Sequence, residues 1–279
     1  MNKKTGKFGT RLGLAIFLFF LFIAIFADVL APYRMNELSK AFVRPCAEHL
    51  LGTNDIGQDI FSELILGTRA SLLTGITAAF FTVFLGTVLG LSAGYLGDTA
   101  DRIIRALISV FMAIPQLPLT IVLVAFMEPS IWNIILAIVL TSWTPSARIV
   151  RSKVMEIKQL PFVKIEETLG QRKSVIMFKH ILPNIKDILL MRSTLAVSAA
   201  MLTEASLSFL GLGSYNQKSW GSILYYAFNK NGVIANFYWW YVPPLVCISL
   251  CIFAFILMGY YGIGTEDTRR QSSYEVRHD

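Results

Sequence analysis

Charged residues are scarce in this sequence. Asp, Glu, Lys and Arg make up 15% of its 279 residues, whereas soluble domains have about 25%. Hydrophobic residues make up 54% of the chain, and 20 of them are Phe. They lie in long uninterrupted runs, which a soluble domain of this length does not need. The composition therefore argues against a soluble domain and favours a polytopic membrane protein.

The motifs of common catalytic and metal sites are also missing. The stretch GLGSYNQKS (Gly211 to Ser219) is similar to a P-loop, but it lacks the second glycine before Lys218. HExxH, GxSxG, an EF-hand loop and the haem-type CxxCH do not occur. The three histidines lie in separate segments without metal-ligand spacing: His49, His180 and His278. We therefore expect no metal or cofactor bound by this chain.

The three cysteines do not form a disulfide framework. Cys247 and Cys251 are four residues apart on an apolar stretch, so they are expected to share one helix face as small packing side chains. Without His or carboxylate partners, they make a poor metal site. Cys46 stands alone in a polar loop.

Six apolar runs are long enough to cross about 30 Å of hydrocarbon, which takes roughly 20 residues. The first run follows a basic N-terminus, as in a signal peptide, but no small-x-small cleavage site follows it. We therefore expect it to be a retained span. The sequence predicts an all-α polytopic membrane protein with a transmembrane core over residues 72–262. The predicted spans are 12–31, 72–96, 103–126, 131–149, 187–211 and 241–262.

The distribution of Lys and Arg predicts the orientation. With the N-terminus inside, the cytoplasmic segments hold 18 of these residues and the outer segments hold 6. Positive charge collects on the cytoplasmic side of membrane proteins, so both termini are predicted to be cytoplasmic. The same bias accounts for the net charge of +7 without a nucleic-acid partner. The segments counted as cytoplasmic are 1–11, 97–105, 148–186, which contains the predicted loop 150–184, and the tail 263–279. The outer loops are 32–71 and 212–240.

Two spans contain small residues or prolines that indicate how the helices pack. Gly86, Gly90 and Gly94 are spaced by four, which lets another helix approach one face of the second span. Pro115 and Pro118 predict a kink in the third span. The kink either shapes a pore or gate or is ordinary irregularity of a membrane helix.

The fifth span contains two ionisable residues, Arg192 and Glu204. They are about 18 Å apart along a helix, so they cannot pair. Arg192 is expected to reach the cytoplasmic headgroups. Glu204 is expected to line a polar cavity or to bond a neighbouring helix. The candidates for pore lining or helix packing are Pro115, Pro118, Glu204 and Ser208.

The charged loop between the fourth and fifth spans contains two short amphipathic segments. A helix is predicted over 162–169, and Gly170 ends it because glycine adopts the left-handed conformation freely. A second helix is predicted over 174–182, and Pro183 forces the next turn. The apolar residues of this loop need a surface to cover them. That surface is a groove on a partner protein or, alternatively, the lipid headgroups.

The stretch FVKIEETLGQRKSVIMFKHILPN, from Phe162 to Asn184, resembles the EAA-type coupling loop of ABC-importer permeases. Gly170, Leu182 and Pro183 are in register with that pattern, and His180 takes the place of an isoleucine. Other stretches resemble, in the same order, the second (C-type) permease of the dipeptide/oligopeptide/nickel branch. They are HLLGTNDIGQDIFSELILGTRASL (49–72), MAIPQLPL (112–119), EASLSFLGLG (204–213) and WGSIL (220–224).

The sequence departs from the resembled pattern in three places. Lys164-Ile165-Glu166 stands where the pattern has Glu-Ala-Ala. Gln58 replaces the arginine of a Gly-Arg-Asp motif in the first outer loop. The stretch YYGIGTEDTRR (260–270) is unusual as well. We expect the first departure to alter the charge of the docking surface and to suit a dedicated ATPase.

The resemblance implies a type I ABC-importer permease fold, in which this chain forms half of a pore with a second homologous permease. Two cytoplasmic ATPases would grip the coupling loops and bind ATP and Mg²⁺ themselves, so this chain would not be the enzyme. An extracytoplasmic solute-binding protein would deliver the cargo. The implied location is the inner membrane of a prokaryotic cell, in contact with lipid. The implied coupling residues are Phe162, Val163, Lys164, Ile165, Glu166, Leu169, Gly170, His180, Leu182, Pro183 and Asn184.

Two other classes of protein stay open at this stage. A secondary transporter would show a path of charges in its spans or inverted repeats. An integral membrane enzyme would need a polar constellation near one interface. Peptides, nickel and metal chelates all fit as cargo, and the short chain favours a small one.

Overall fold

The computed structural model describes the backbone of residues 3–275 and the side chains of residues 7–97 and 99–262. Within this part the chain is helical, and its one β-type pairing is an isolated bridge between Thr53 and Asp59. The predicted all-α class is therefore confirmed. The α-helices are α1 Lys3–Ile25, α2 Ala27–Leu30, α3 Ile60–Leu96, α4 Asp98–Ala113, α5 Gln116–Ala125, α6 Ile131–Ser142, α7 Thr144–Lys158, α8 Pro161–Thr168, α9 Lys173–Val175, α10 Leu182–Asn184, α11 Lys186–Leu207, α12 Trp220–Asn229 and α13 Tyr238–Glu275, and π-helical turns occupy Ile176–Ile181 and Ser208–Leu212.

Among the described residues, four helices are long and apolar enough to cross a membrane. Two bent pairs, α4 with α5 and α6 with α7, meet the same test, and their axes turn by 86° and 43°. If each bent pair is one span, the total is six, and each coincides with one of the predicted apolar runs. The four continuous candidates are Lys7–Ile25, Ile60–Leu96, Lys186–Leu212 and Tyr238–Gly262.

Helix α3 begins twelve residues before the predicted span at 72. The Asp59 side chain accepts a hydrogen bond from the Ser62 N–H, at 2.8 Å, and so caps the helix at Ile60. The end of the predicted outer loop 32–71 is therefore helical. The predicted outer loop 212–240 likewise contains a helix, α12.

The first predicted span, 12–31, is helical only to Ile25. Phe26 leaves the helical conformation, with φ −95° and ψ 17°, and the short helix α2 follows. At the other end of the chain, the side chains of the predicted tail beyond Gly262 lie outside the described residues.

The three glycines of α3 that are spaced by four residues lie where α7 crosses it. A Cβ atom on Gly90 would be 2.6 Å from the Ala147 carbonyl oxygen and 2.8 Å from Val150 Cβ. Gly86 and Gly94 are similarly close to α7. The close helix approach predicted from their spacing is confirmed.

The largest buried core joins α1, α3, α11, α12 and α13. Trp220, which is fully buried, donates its indole N–H to the Leu64 carbonyl at 3.1 Å. Its ring meets Phe20 edge-on, with 5.3 Å between the centroids. Helix α12 is therefore inserted into the bundle rather than lying on its surface.

Candidate functional site: the elbow between α7 and α11

The elbow comprises residues 159–185, which connect α7 to α11. Its first short helix is α8, whose bounds agree with the predicted helix 162–169 within one residue. The second predicted helix, 174–182, is instead a composite of α9, a π-helical turn and α10. Pro183 lies in the first turn of α10, and the chain leaves the helical conformation at Ile185, with φ −105° and ψ 4°. The helical conformation therefore ends two residues after Pro183, and the predicted turn before the fifth span lies at Ile185.

Gly170 ends α8 in the way that the sequence predicts. Its φ is +75°, in the left-handed region. The Gly170 N–H donates to the Glu167 carbonyl and the Gln171 N–H donates to the Glu166 carbonyl, both at 3.1 Å. These two bonds form a Schellman motif, which satisfies the last carbonyl groups of the helix. Glycine thus sets the direction in which the chain leaves α8.

The inner face of the elbow packs on the ends of α3 and α7. Val163 has no exposed surface, so it cannot enter a groove on another protein, and the prediction that it docks there was wrong. Its neighbours Phe162 and Ile165 point away from this core, because successive helical residues are about 100° apart. Leu182 is half-buried against the same cluster. The buried members of the cluster are Leu91, Tyr95, Val150, Val154, Ile157, Val163, Ile176, Met177, Ile181 and Ile185.

The outer face of α8 carries an apolar stripe. Phe162, Ile165 and Leu169 are 38%, 57% and 73% exposed. Their spacing of three and four residues places them on one side of the helix. No segment among the described residues covers this stripe. Such i, i+3, i+7 anchors are typical of an amphipathic helix that binds in a groove.

Two polar contacts stabilise the elbow, one between α8 and its second helical segment and one within that second segment. Glu166 Oε1 on α8 lies 3.8 Å from His180 Nε2 in the π-helical turn. The Asn184 side-chain amide donates to the His180 carbonyl at 2.6 Å. Glu166 and His180 both stand where the resembled pattern has an apolar residue, and the fold brings these two departures together. The remaining predicted residues, Lys164 and Pro183, are exposed.

Two residues that hold the elbow in place were not predicted as site residues. The Lys158 ammonium donates to the Tyr95 carbonyl at 2.9 Å, and it lies 5.2 Å from the centroid of the Tyr95 ring. The Tyr95 side chain also hydrogen-bonds Glu167. Tyr95 is the penultimate residue of α3, so it links that helix directly to the elbow. No local sequence signal identifies this contact, because Tyr95 and Glu167 are far apart in the chain.

The prolines of the third span lie at a break rather than a mild kink. Ile114 and Pro115 are extended, and the axes of α4 and α5 differ by 86° there. The Gln116 amide then donates to Ser142 Oγ at 2.5 Å and ties α5 to α6. Pro118 is in the first turn of α5, where it breaks no helical hydrogen bond. A break of this size makes the pair a broken span or a re-entrant loop.

Glu204 and Ser208 lie at a packing contact with α12. Both are buried, and Ser208 Oγ donates to Glu204 Oε1 at 2.7 Å. Ser219, which caps the N-terminus of α12, also hydrogen-bonds the Glu204 side chain. A carboxylate is favourable at that end of a helix. Of the two interpretations of Glu204, the structure supports the bond to a neighbouring helix.

Arg192 is half-buried on α11 and points toward a neighbouring helix. Its Nη2 atom lies 3.4 Å from Ser146 Oγ on α7, and its buried Nε atom has no hydrogen-bond partner in the part of the chain that the structure describes. The side chain is therefore directed at α7 and not extended along α11 toward the headgroups.

Across the described residues, no group of three His, Cys, Asp or Glu side chains is placed to hold a metal ion. The elbow itself has one carboxylate–histidine pair, Glu166 with His180, beside exposed apolar, basic and other polar side chains.

A bundle of helices long and apolar enough to cross a membrane, with an elbow at one end that carries an exposed apolar stripe, defines an integral membrane protein. Residues 86–262 match the family of binding-protein-dependent transport system inner membrane components. This chain belongs to that family. It is therefore an inner membrane component of a transport system.

Two relatives cover most of the chain. The dipeptide transport system permease protein DppC of Bacillus subtilis (strain 168) is 35% identical over 251 residues, which span 88% of this chain and 78% of that protein. The oligopeptide transport system permease protein OppC of the same organism is 34% identical over 252 residues, spanning 88% and 81%. The predicted membership of the dipeptide and oligopeptide permease branch is confirmed.

The fold is similar to that of a chain in the inward-facing MetNI methionine ABC transporter. The TM-score is 0.59, with 18% identity, and the match covers 71% of this chain and 93% of that chain. The predicted ABC-importer permease fold is thereby confirmed.

Proposed function

We propose that this chain forms half of the pore of an ATP-driven importer and that its elbow receives force from a cytoplasmic ATPase. The single observation that carries this proposal is the uncovered stripe of Phe162, Ile165 and Leu169 on a helix whose other face is locked into the bundle. Such a stripe at i, i+3 and i+7 on a short helix is the pattern by which amphipathic helices bind in a protein groove. The buried inner face gives the elbow the stiffness to pass motion on to α3, α7 and α11.

In the proposed mechanism, the ATPases act on the elbow at one end of the helices and the solute-binding protein acts on the outer loops at the other end. Two ATPases would each hold one elbow, on this chain and on a second homologous permease, and would bind the ATP and Mg²⁺. ATP binding would draw the ATPases together and tilt the helices attached to the elbows. A solute-binding protein on the opposite side would deliver cargo to the outer loops. Such a switch needs ligands that bind its two states with different affinities, and ATP and the loaded receptor meet that need.

For the cargo we propose short peptides. The two relatives named above are dipeptide and oligopeptide permeases, and this support places peptides ahead of nickel and metal chelates. Uptake of a labelled dipeptide into vesicles with the complete transporter tests the cargo. Co-purification of a second permease and of ATPase subunits tests the assembly. Recovery of the chain alone would instead favour a secondary transporter or a membrane enzyme.

The proposed orientation, with the elbow and both termini in the cytoplasm, predicts a labelling pattern. Cys46, in the loop before α3, is exposed, whereas Cys247 and Cys251 lie within α13. A membrane-impermeant maleimide should label Cys46 in right-side-out vesicles. In vesicles that hold the chain without ATPase subunits, a Cys46→Ser, Ile165→Cys variant should be labelled only after the vesicles are permeabilised. Labelling of residue 165 in sealed vesicles would place the elbow outside and refute the proposal.

Replacing Gly170 by Val should uncouple ATP hydrolysis from uptake. A Cβ atom at this position meets nothing within 4 Å, so the effect comes from the backbone alone. A left-handed conformation costs an ordinary residue about 1–2 kcal/mol and a β-branched residue more. We expect uptake to fall by about tenfold or more while ATP hydrolysis by the complex persists.

The control for this variant is Gly170→Asn, because asparagine tolerates the left-handed conformation. We expect that variant to keep most of the uptake. Both activities are measured on the same reconstituted complex. Wild-type uptake by the valine variant would show that the direction of the chain at Gly170 does not matter for coupling.

A further inference from the structure

A polar cluster lies at the opposite end of α3 from the elbow. Glu63, in the first turn of α3, has a side chain that is 3% exposed. Its Oε1 atom contacts the ammonium of Lys218 and accepts a hydrogen bond from the Asn54 amide at 2.9 Å. Within the described part of the chain, Lys218 is the one cation that forms an ion pair with Glu63. A buried carboxylate requires such a partner.

The Gln58 side chain contacts the same ammonium group, that of Lys218. Its Oε1 atom also contacts Lys218 Nζ and lies 3.0 Å from the Asn54 amide nitrogen, while its own amide donates to the Met35 carbonyl at 2.6 Å. Position 58 is the place where this sequence has glutamine instead of the arginine of the resembled motif. Because Gln58 and Glu63 contact one and the same nitrogen atom, a cation carried at position 58 would reach Glu63.

The Lys218 ammonium belongs to a segment that is far from Glu63 in the sequence. Lys218 is 155 residues from Glu63 and lies just before α12. Its Nζ atom is 5.2 Å from the ring centroid of Tyr226 on α12, and burial raises the pKa of the Tyr226 hydroxyl. The neutral phenol ring thus adds a favourable face for the cation. The cluster joins three segments: the loop before α3, the first turn of α3, and the segment that leads into α12.

We propose that Lys218 supplies, from the second outer loop, the positive charge that the resembled motif carries at position 58. The ion pair with Glu63 then fixes that loop to the first turn of α3. Lys218 is in this sense a positioning residue for the face of the protein opposite the elbow. The inference does not depend on which cargo or ATPase the chain serves.

A double-mutant cycle on the full chain, purified in detergent, tests this exchange. Lys218→Gln leaves the Glu63 carboxylate buried and unpaired, so the melting temperature should fall by about 10 °C. Gln58→Arg in the same chain should restore most of that loss, because it returns a cation to Glu63. Gln58→Arg alone should not stabilise the protein, since it brings two cations to one carboxylate.

Lys230→Gln is the matched control. Lys230 pairs with Asp55 at 3.6 Å, but its side chain is 52% exposed, so the melting temperature should change by about 2 °C or less. If Lys218→Gln does not yield folded protein, a folded Gln58→Arg, Lys218→Gln variant supports the proposal. An unchanged melting temperature for Lys218→Gln, or no rescue by Gln58→Arg, would overturn it.

Discussion

Replacing both Ile165 and Leu169 by Asp should abolish ATP-driven uptake while the permease stays folded in the membrane. These side chains are 57% and 73% exposed, so their loss removes no packing from the elbow itself. In the assembled transporter they are proposed to be buried in a groove of the ATPase. The burial of each such side chain contributes about 1.5 kcal/mol or more. The loss of both should weaken ATPase binding roughly a hundredfold.

The measurements are co-purification of the ATPase and uptake by reconstituted vesicles, with melting temperature as the check on folding. Thr168→Asp with Gln171→Asp is the control, because it adds the same two charges at exposed polar positions of the elbow. The control should keep the ATPase bound. If the elbow lay on lipid headgroups instead, both double variants would be repelled alike by anionic lipid and neither would release an ATPase.

Replacing Gly90 by Val should prevent the bundle from forming. The Cβ atom alone would be 2.6 Å from the Ala147 carbonyl oxygen, and that oxygen belongs to the backbone of α7, which cannot rotate away. Gly90→Ala, which adds only this atom, should cost about 1–3 kcal/mol. The two branches of valine add further overlap with Val150. We expect the valine variant to be lost from the membrane fraction, and the alanine variant to melt several degrees lower, about 2–4 °C for each kcal/mol.

Gly67→Ala is the matched control on the same helix. The nearest atoms to a Cβ at Gly67 are 3.5 Å away, which is an ordinary contact distance. Alanine also has the higher helix propensity, so this variant should be as stable as the wild type or slightly more stable. Equal destabilisation by alanine at both positions would show that the approach of α7 to α3 is less close than the structure has it.

Some features of the elbow depend only on neighbouring residues and are predictable from the sequence, and others are not. The end of α8 at Gly170 was predictable because a left-handed φ and the bonds of the Schellman motif involve only neighbouring residues. The interruption at Pro115 was predictable for the same reason, although its size of 86° was not. The direction of Val163 was not predictable, since its helix is amphipathic and the sequence does not state which apolar residues meet the bundle and which remain uncovered.

Contacts between distant residues were beyond prediction for a different reason. Tyr95 on α3, Lys158 at the end of α7 and Glu167 in the elbow carry no local motif, so only their meeting in space identifies them as a set. The same holds for Gln58 and Lys218. The sequence has a glutamine where the resembled motif has an arginine, and an ordinary lysine far away in the chain. Only the fold puts both beside one buried carboxylate.

The sequence by itself determined the class of the protein, the membrane spans and the presence of a turning segment between the fourth and fifth. Each of these depends on contiguous residues, because the thickness of the hydrocarbon layer sets the length of an apolar run and backbone sterics set where glycine and proline fit. Only the tertiary structure decided which face of α8 is left uncovered, where α12 inserts and what neutralises Glu63. Those outcomes depend on how helices far apart in the chain pack together, and no single stretch of residues encodes that packing.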